Sequence, residues 1–68
     1  MTYDAQKFGA RLRQLRKERN VSQDELALRA QIDRSYMGRI ERGQVNITLE
    51  KVYRLANALG CDAKDLLD

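Results

Sequence analysis

The chain has 68 residues, 43% hydrophobic and 34% charged, which fits one small folded domain and excludes a disordered chain. With no histidine and one cysteine, Cys61, it lacks the side chains of a Cys/His zinc site, a Ser-His-Asp triad, a Cys-His pair or an internal disulfide, so neither an enzyme nor a metal or cofactor is expected. The net charge is +3, and it is unevenly distributed. Residues 1–44 hold ten basic and six acidic side chains, whereas residues 45–68 hold three basic and four acidic ones. Residues 1–44 are therefore the candidate anion-facing part of the chain.

The first two helices are predicted from apolar spacing and from a strong start signal. Phe8, Leu12 and Leu15 recur at helical spacing and predict an amphipathic helix over 5–20. Ser22 and Glu25 form a capping-box pattern that starts a second helix over 23–30.

Three further helices are predicted by capping residues and glycine stops. Asp33 and Gly43 bound a helix over 34–42, Thr48 and Gly60 bound one over 49–59, and Asp62 starts a short one over 63–67. Glycines are few and proline is absent, so the predicted fold class is all-α, a compact five-helix domain spanning 1–68. The expected core has the following members: Phe8, Leu12, Leu15, Leu26, Ala27, Ala30, Ile32, Met37, Ile40, Val52, Leu55, Ala56 and Leu59.

Residues 23–42 have the pattern of a helix-turn-helix. Two short helices joined by three residues cross steeply, and the second then projects into a DNA major groove. This packing needs a small residue at Ala27, an apolar anchor in the turn at Ile32, and a buried side on the second helix, which Met37 and Ile40 supply.

The run VSQDELALRAQIDRSYMGRIERGQVNITLEKVYRLANALG resembles the Cro/C1-type helix-turn-helix family, whose members are DNA-binding transcriptional regulators with a lambda-repressor-like domain. Within that family, DRSYMGRIERGQVNIT is similar to controller proteins of restriction-modification systems, small dimeric regulators of the endonuclease and of their own operon, and it also occurs in other small regulators of this type. The turn residue is usually glycine in the family and is Gln31 here. A non-glycine residue at positive φ costs about 1 kcal/mol, so either Gln31 adopts that conformation or the turn differs.

The outward positions of the third helix predict the base-reading residues. Arg34 and Ser35 stand at the end that enters the groove first, and Arg39 follows one turn later on the same face. Arginine binds guanine O6 and N7 in a bidentate manner, so Arg34 is the first candidate reader. The resemblance implies a DNA-surface role for Tyr36, whose ring is alternatively expected to pack beside the helix.

Other residues are expected to hold the DNA backbone or the fold. Gln23 begins a helix whose free N–H groups favour phosphate, a use that the resemblance also implies, and Arg42 and Asn46 are further phosphate candidates. The resemblance implies a partly buried structural ion pair between Arg16 and Glu41.

The predicted function is a transcriptional regulator that binds a palindromic double-stranded DNA operator as a homodimer, because one helix reads only a few base pairs. The expected dimer surface lies on residues 49–67 and includes Tyr53, Asn57, Leu66 and Leu67, although Leu66 is equally compatible with the monomer core. RNA polymerase is a further candidate partner, which the regulator either blocks or contacts, and no small-molecule ligand is expected. The alternative is a protein-interaction module, such as an antitoxin or adaptor, with the same fold. The operator, the regulated genes and the sign of regulation are left open.

The predicted location is the cytoplasm. No stretch of about 18 apolar residues occurs, so no membrane span is expected. The start MTYDAQKF lacks the apolar segment of a signal peptide, and a single cysteine fits a reducing compartment.

Overall fold

The computed structural model describes residues 4–67, and in this range the chain forms five α-helices and no strand. They are α1 (Ala5–Glu18), α2 (Gln23–Ala30), α3 (Arg34–Glu41), α4 (Leu49–Leu59) and α5 (Ala63–Leu67). The all-α prediction is confirmed. α1 and α3 end slightly before the predicted residues 20 and 42, because Arg19 and Arg42 have ψ values near zero and leave the helical path. Residues 1–3 and 68 of the predicted domain lie outside the described residues.

Side-chain oxygen atoms accept hydrogen bonds from free backbone N–H groups at four helix starts, as expected for capping residues. Ser22, Asp33 and Thr48 cap α2, α3 and α4, and Asp4, which the sequence analysis did not identify, caps α1. The capping box at α2 is half formed. Ser22 Oγ accepts from the Glu25 backbone N–H at 3.0 Å, but the Glu25 carboxylate pairs with Arg29 instead of returning to Ser22.

Four helices end in the same way. A residue with left-handed backbone angles follows the helix, and the next residue donates its backbone N–H to a carbonyl in the last helical turn. These bonds run from Val21, Ile32, Gln44 and Cys61 to the carbonyls of Arg16, Ala27, Arg39 and Ala56. The left-handed residues are Asn20, Gln31, Gly43 and Gly60. Gln31 has φ 57° and ψ 45°, so the turn keeps the geometry that usually takes glycine and a glutamine adopts it.

One apolar core lies between the helices and contains every expected core residue together with Val21 and Leu66. Leu66 is 2% exposed, so its assignment to the dimer surface was wrong. The short α5 turns Leu66 inward and leaves the adjacent Leu67 48% exposed. A hydrogen bond of 2.9 Å from Arg11 Nε to the Asp65 carbonyl also holds α5 against the body of the protein.

Close packing of α1 on the end of α3 sets the position of the helix-turn-helix. A Cβ atom at Gly9 would lie 2.5 Å from the Ile40 carbonyl oxygen and 2.6 Å from that of Glu41, so only glycine permits this approach. α2 packs against both α3 and α4, and the outer face of α3 remains open to solvent. Within residues 4–67, no helix is both long enough and apolar enough to cross a bilayer.

Candidate nucleic-acid interface

The two faces of α3 have opposite environments. Met37 and Ile40 are at most 1% exposed and fix the helix on the core, and Ile32 buries the turn that precedes it. Arg34 and Arg39 lie on the other side and are exposed. The helix therefore presents basic side chains to solvent from a rigid, apolar base.

A shallow groove between α2 and α3 brings most of the predicted DNA-contacting residues together. Its lining consists of Gln23, Asp24, Arg34, Ser35, Gly38, Arg39 and Arg42. Three arginines face one aspartate there, so the groove attracts an anionic ligand such as a nucleic-acid backbone.

Gly38 lies in the groove, where a side chain would take up space. A Cβ atom at this position would lie 3.0 Å from Arg42 Nη1 and 3.6 Å from Gln23 Oε1. The absence of a side chain therefore lets the ends of Arg42 and Gln23 lie close to the surface of α3.

A buried ion pair between Arg16 and Glu41 lies next to the groove and contacts Gln23, one of the residues that line it. Arg16 Nε and Nη2 donate to the two carboxylate oxygens of Glu41 at 2.7 and 3.1 Å, and Arg16 Nη1 donates to the Val21 carbonyl at 2.9 Å. Glu41 Oε1 also accepts from Gln23 Nε2 at 3.1 Å. A carboxylate only accepts hydrogen bonds, so this contact fixes which end of the Gln23 amide faces inward. The second N–H of that amide is left for another acceptor.

Arg34 forms an ion pair with an acidic residue that the sequence analysis did not identify. Its Nε lies 3.1 Å from Asp24 Oδ1, and the two side chains are 76% and 62% exposed. The pair joins α2 to α3 across the groove. Sequence spacing gives no signal for it, because the two residues belong to different helices and meet only when those helices cross.

Tyr36 and Asn46 lie outside the groove. The half-buried Tyr36 packs against the core edge, and Lys51 Nζ lies 4.7 Å from the centroid of its ring. Tyr36 and Lys51 belong to a second shallow depression, beside the Gln31–Asp33 turn. Asn46 is exposed in the loop between α3 and α4. The groove thus contains five of the seven predicted DNA-contacting residues.

Comparison with known proteins identifies this architecture. A family model described as helix-turn-helix matches residues 12–66, which is most of the chain. The chain belongs to the helix-turn-helix family. As a Cro/C1-type helix-turn-helix protein it is a DNA-binding transcriptional regulator and not an enzyme, as the sequence predicted.

Several relatives of this helix-turn-helix protein are controllers. It is 42% identical over 62 residues to the control protein C.BamHI of Bacillus amyloliquefaciens, covering 90% of this chain and 76% of that protein. It is 34% identical over 61 residues to C.MunI of a Mycoplasma species, with coverage of 88% and 82%. The crystal structure of the restriction-modification controller C.AhdI from Aeromonas hydrophila superposes with a TM-score of 0.90 at 46% identity, covering 93% of this chain and 96% of that one. The predicted resemblance to controller proteins is therefore confirmed.

Proposed function

We propose that residues 1–68 act as one DNA-binding domain that recognises a palindromic operator as a homodimer in the cytoplasm. The observation that carries this proposal is the groove between α2 and α3, where Arg39 and Arg42 line the later part of α3 and Arg34 stands at its amino-terminal end. In the helix-turn-helix arrangement that end of the second helix enters the major groove. Acidic residues at the outward positions of α3 would have favoured a protein-binding module, and arginines stand there instead.

The proposed contacts divide into base readers and backbone anchors. Arg34, Ser35 and Arg39 read base edges, and Tyr36 touches the DNA at the margin of the site, where Lys51 adds a positive charge.

The backbone anchors flank these readers. Gln23 donates its free amide N–H to a phosphate, with Glu41 holding its other N–H, and Arg42 and Asn46 bind the backbone on either side. The Arg16–Glu41 pair stays within the fold and contributes to DNA binding only through Gln23.

The homodimer surface is proposed to be the exposed part of α4 and α5. Leu49, Tyr53 and Asn57 recur every fourth residue along α4, and Leu49 and Tyr53 are 59% and 58% exposed. Leu67 extends the surface onto α5. Neighbouring exposed apolar side chains that form one patch are typical of partner contacts.

A charged substitution in this surface tests the dimer. Tyr53→Glu is expected to shift the protein to a monomer in sedimentation equilibrium and to weaken operator binding. Leu28→Glu is the matched control, because Leu28 is 79% exposed but lies on α2. A Tyr53→Glu protein that remains as dimeric as Leu28→Glu contradicts the proposed surface.

The DNA-binding proposal is tested by selecting bound sites from a library of duplexes with a randomised core. The selected sequences are expected to contain an inverted repeat with half-site centres about one helical turn, ~34 Å, apart. Binding of the selected duplex should exceed binding of a scrambled duplex by at least about 10³-fold at physiological salt, and both affinities should fall as salt rises. Equal affinity for the two duplexes contradicts sequence-specific binding.

We also propose that the protein is a restriction-modification controller, a role supported by its similarity to C.BamHI, C.MunI and C.AhdI over nearly the whole chain. Such a controller regulates its own operon, so the selected site should occur upstream of its own coding sequence. In vitro transcription from that DNA tests whether the bound dimer blocks RNA polymerase or recruits it. Absence of both the site and any effect on transcription contradicts the controller role.

A further inference from the structure

Asp24 places a negative charge where the proposed function calls for positive charge. Among the described residues that line the groove between α2 and α3, it is the sole acid, and it faces Arg34, Arg39 and Arg42. A carboxylate at this site repels the phosphates of any duplex. Its presence therefore lowers general DNA affinity and needs an explanation in terms of selectivity.

The geometry of the ion pair supplies that explanation. The closest approach of the pair is 3.1 Å, from Asp24 Oδ1 to Arg34 Nε, and within residues 4–67 neither terminal Nη group of Arg34 donates a hydrogen bond. Those two groups are the ones that reach guanine O6 and N7 from the end of the side chain. Because the Arg34 side chain is 76% exposed, packing restrains it little, and the ion pair with Asp24 is the contact that the described residues provide to hold it.

We propose that Asp24 is a specificity-determining residue that holds the Arg34 guanidinium for guanine and opposes binding of other sequences. The inference rests on the proposed base-reading role of Arg34. On the correct duplex the Arg34 guanidinium keeps the Asp24 carboxylate beside Nε and donates its Nη groups to the guanine edge, and these hydrogen bonds offset the repulsion between Asp24 and the phosphates. On a duplex without guanine at that position Arg34 gains no partner, and the repulsion between Asp24 and the phosphates is uncompensated. Selectivity then arises from a repulsive group as well as an attractive one.

Glu25 provides a matched control for this idea. It lies beside Asp24 in the first turn of α2, where acidic side chains stabilise the positive end of a helix. Like Asp24, it forms an ion pair with an arginine, at 2.7 Å to Arg29, but it does not line the groove. Glu25→Gln and Asp24→Asn therefore each remove one negative charge from the first turn of α2, and only Asp24→Asn removes a charge that lines the groove and pairs with Arg34.

The experiment uses the full chain, the duplex most enriched from the randomised library by the wild-type protein, every single-base-pair variant of it, and a scrambled duplex. Affinities are measured by fluorescence anisotropy at fixed salt, and thermal unfolding confirms that each variant is folded. Asp24→Asn is expected to lose about fivefold or more of the preference at the base pair that Arg34 reads. It should also bind the scrambled duplex about threefold more tightly, because one repulsive charge is gone. Glu25→Gln should keep the wild-type preference at every base pair.

Two further variants separate the failure of this inference from the failure of the proposed function. If Arg34→Ala loses its preference at one base pair per half-site, while Asp24→Asn behaves like Glu25→Gln, the role of Asp24 is overturned and the reading role of Arg34 stands. If Arg34→Ala keeps the full preference, both roles are overturned. In the Asp24→Asn, Arg34→Ala double variant, the Asp24 substitution should no longer alter base preference, because it acts through Arg34. A further loss of preference in the double variant contradicts the inference.

Discussion

Replacing Arg16 by methionine leaves the buried carboxylate of Glu41 without its cation. The Glu41 side chain is 3% exposed, and two of the three side-chain hydrogen bonds that it accepts come from Arg16. Breaking a buried pair from one side costs about 3–5 kcal/mol, because the remaining charge is neither hydrated nor paired. A domain of this size has a total stability of about 3–10 kcal/mol. Arg16→Met is therefore expected to lose a third or more of the free energy of unfolding.

The chain contains a control pair with the same contact distance and a different environment. Arg29 and Glu25 also approach to 2.7 Å, but their side chains are 47% and 44% exposed, against 11% and 3% for Arg16 and Glu41. Exposed pairs at this helical spacing contribute about 0.3–0.5 kcal/mol. Arg29→Met should therefore change stability by no more than about 0.5 kcal/mol, since burial and not distance decides the effect.

Urea denaturation monitored by circular dichroism measures both variants, with an added osmolyte if Arg16→Met is partly unfolded without it. The Arg16→Met, Glu41→Leu double variant completes the test, because it removes both charges. Replacing a buried pair by apolar residues is often neutral or stabilising, so the double variant should recover most of the lost stability. If Arg16→Met costs no more than Arg29→Met, or if the double variant is less stable than either single one, the reasoning from burial is refuted.

Four further predictions concern positions at which glycine is introduced or replaced and the thiol of Cys61. Gln31→Gly should stabilise the protein by up to about 1 kcal/mol, because Gln31 has a left-handed φ of 57°. Thermal unfolding should show a smaller gain for Asn20→Gly, since asparagine tolerates that conformation, and the reverse order contradicts the account. Gly9→Ala should destabilise the protein by about 1–3 kcal/mol in the same assay, because its methyl group meets backbone oxygens of α3. Gly38→Ala should keep or raise stability, because alanine favours a helix and its methyl group meets only the movable end of Arg42. The same methyl group should weaken operator binding, because it takes up space in the groove, and an unchanged operator affinity argues against DNA contact there. Burial raises the pKa of the Cys61 thiol, so its protonated form persists to higher pH in the folded state, and it should react with a disulfide reagent near neutral pH more slowly than a free cysteine does; a faster reaction contradicts this.

The helix boundaries could be predicted because the signals for them are local. Ser22, Asp33 and Thr48 each bond a backbone group within three residues along the chain, so their roles are visible in a short window of sequence. Gly43 and Gly60 mark helix ends for the same reason. Local chemistry of this kind does not depend on how the helices pack.

Features that depend on packing between helices were missed or left open. Leu66 and Leu67 are adjacent apolar residues in a helix of five, and only the observed packing shows that Leu66 faces the core. The need for glycine at position 9 arises from contact with α3, more than thirty residues away in sequence.

The candidate site likewise contains residues that local sequence predicts and contacts that depend on packing between helices. The outward positions of α3 were predictable from its apolar side, which fixes the opposite face. The Asp24–Arg34 pair was not, because it forms across two helices. The depression that Tyr36 shares with Lys51 was not predictable either, since it depends on where α4 begins relative to α3. Short-range pattern thus identified the surface, and tertiary packing determined which side chains share it.

The most direct test of base reading by α3 is a base-pair-resolved comparison of the wild-type protein with Arg34→Ala and Arg29→Ala. Affinities are measured for the selected duplex and for each of its single-base-pair variants. Arg34→Ala is expected to become indifferent to one base pair in each half-site, which corresponds to a loss of about 1–3 kcal/mol of discrimination there. Arg29→Ala removes an exposed arginine from α2 outside the groove and should keep the wild-type profile. An unchanged profile for Arg34→Ala would contradict the central claim that the groove between α2 and α3 reads DNA sequence through Arg34.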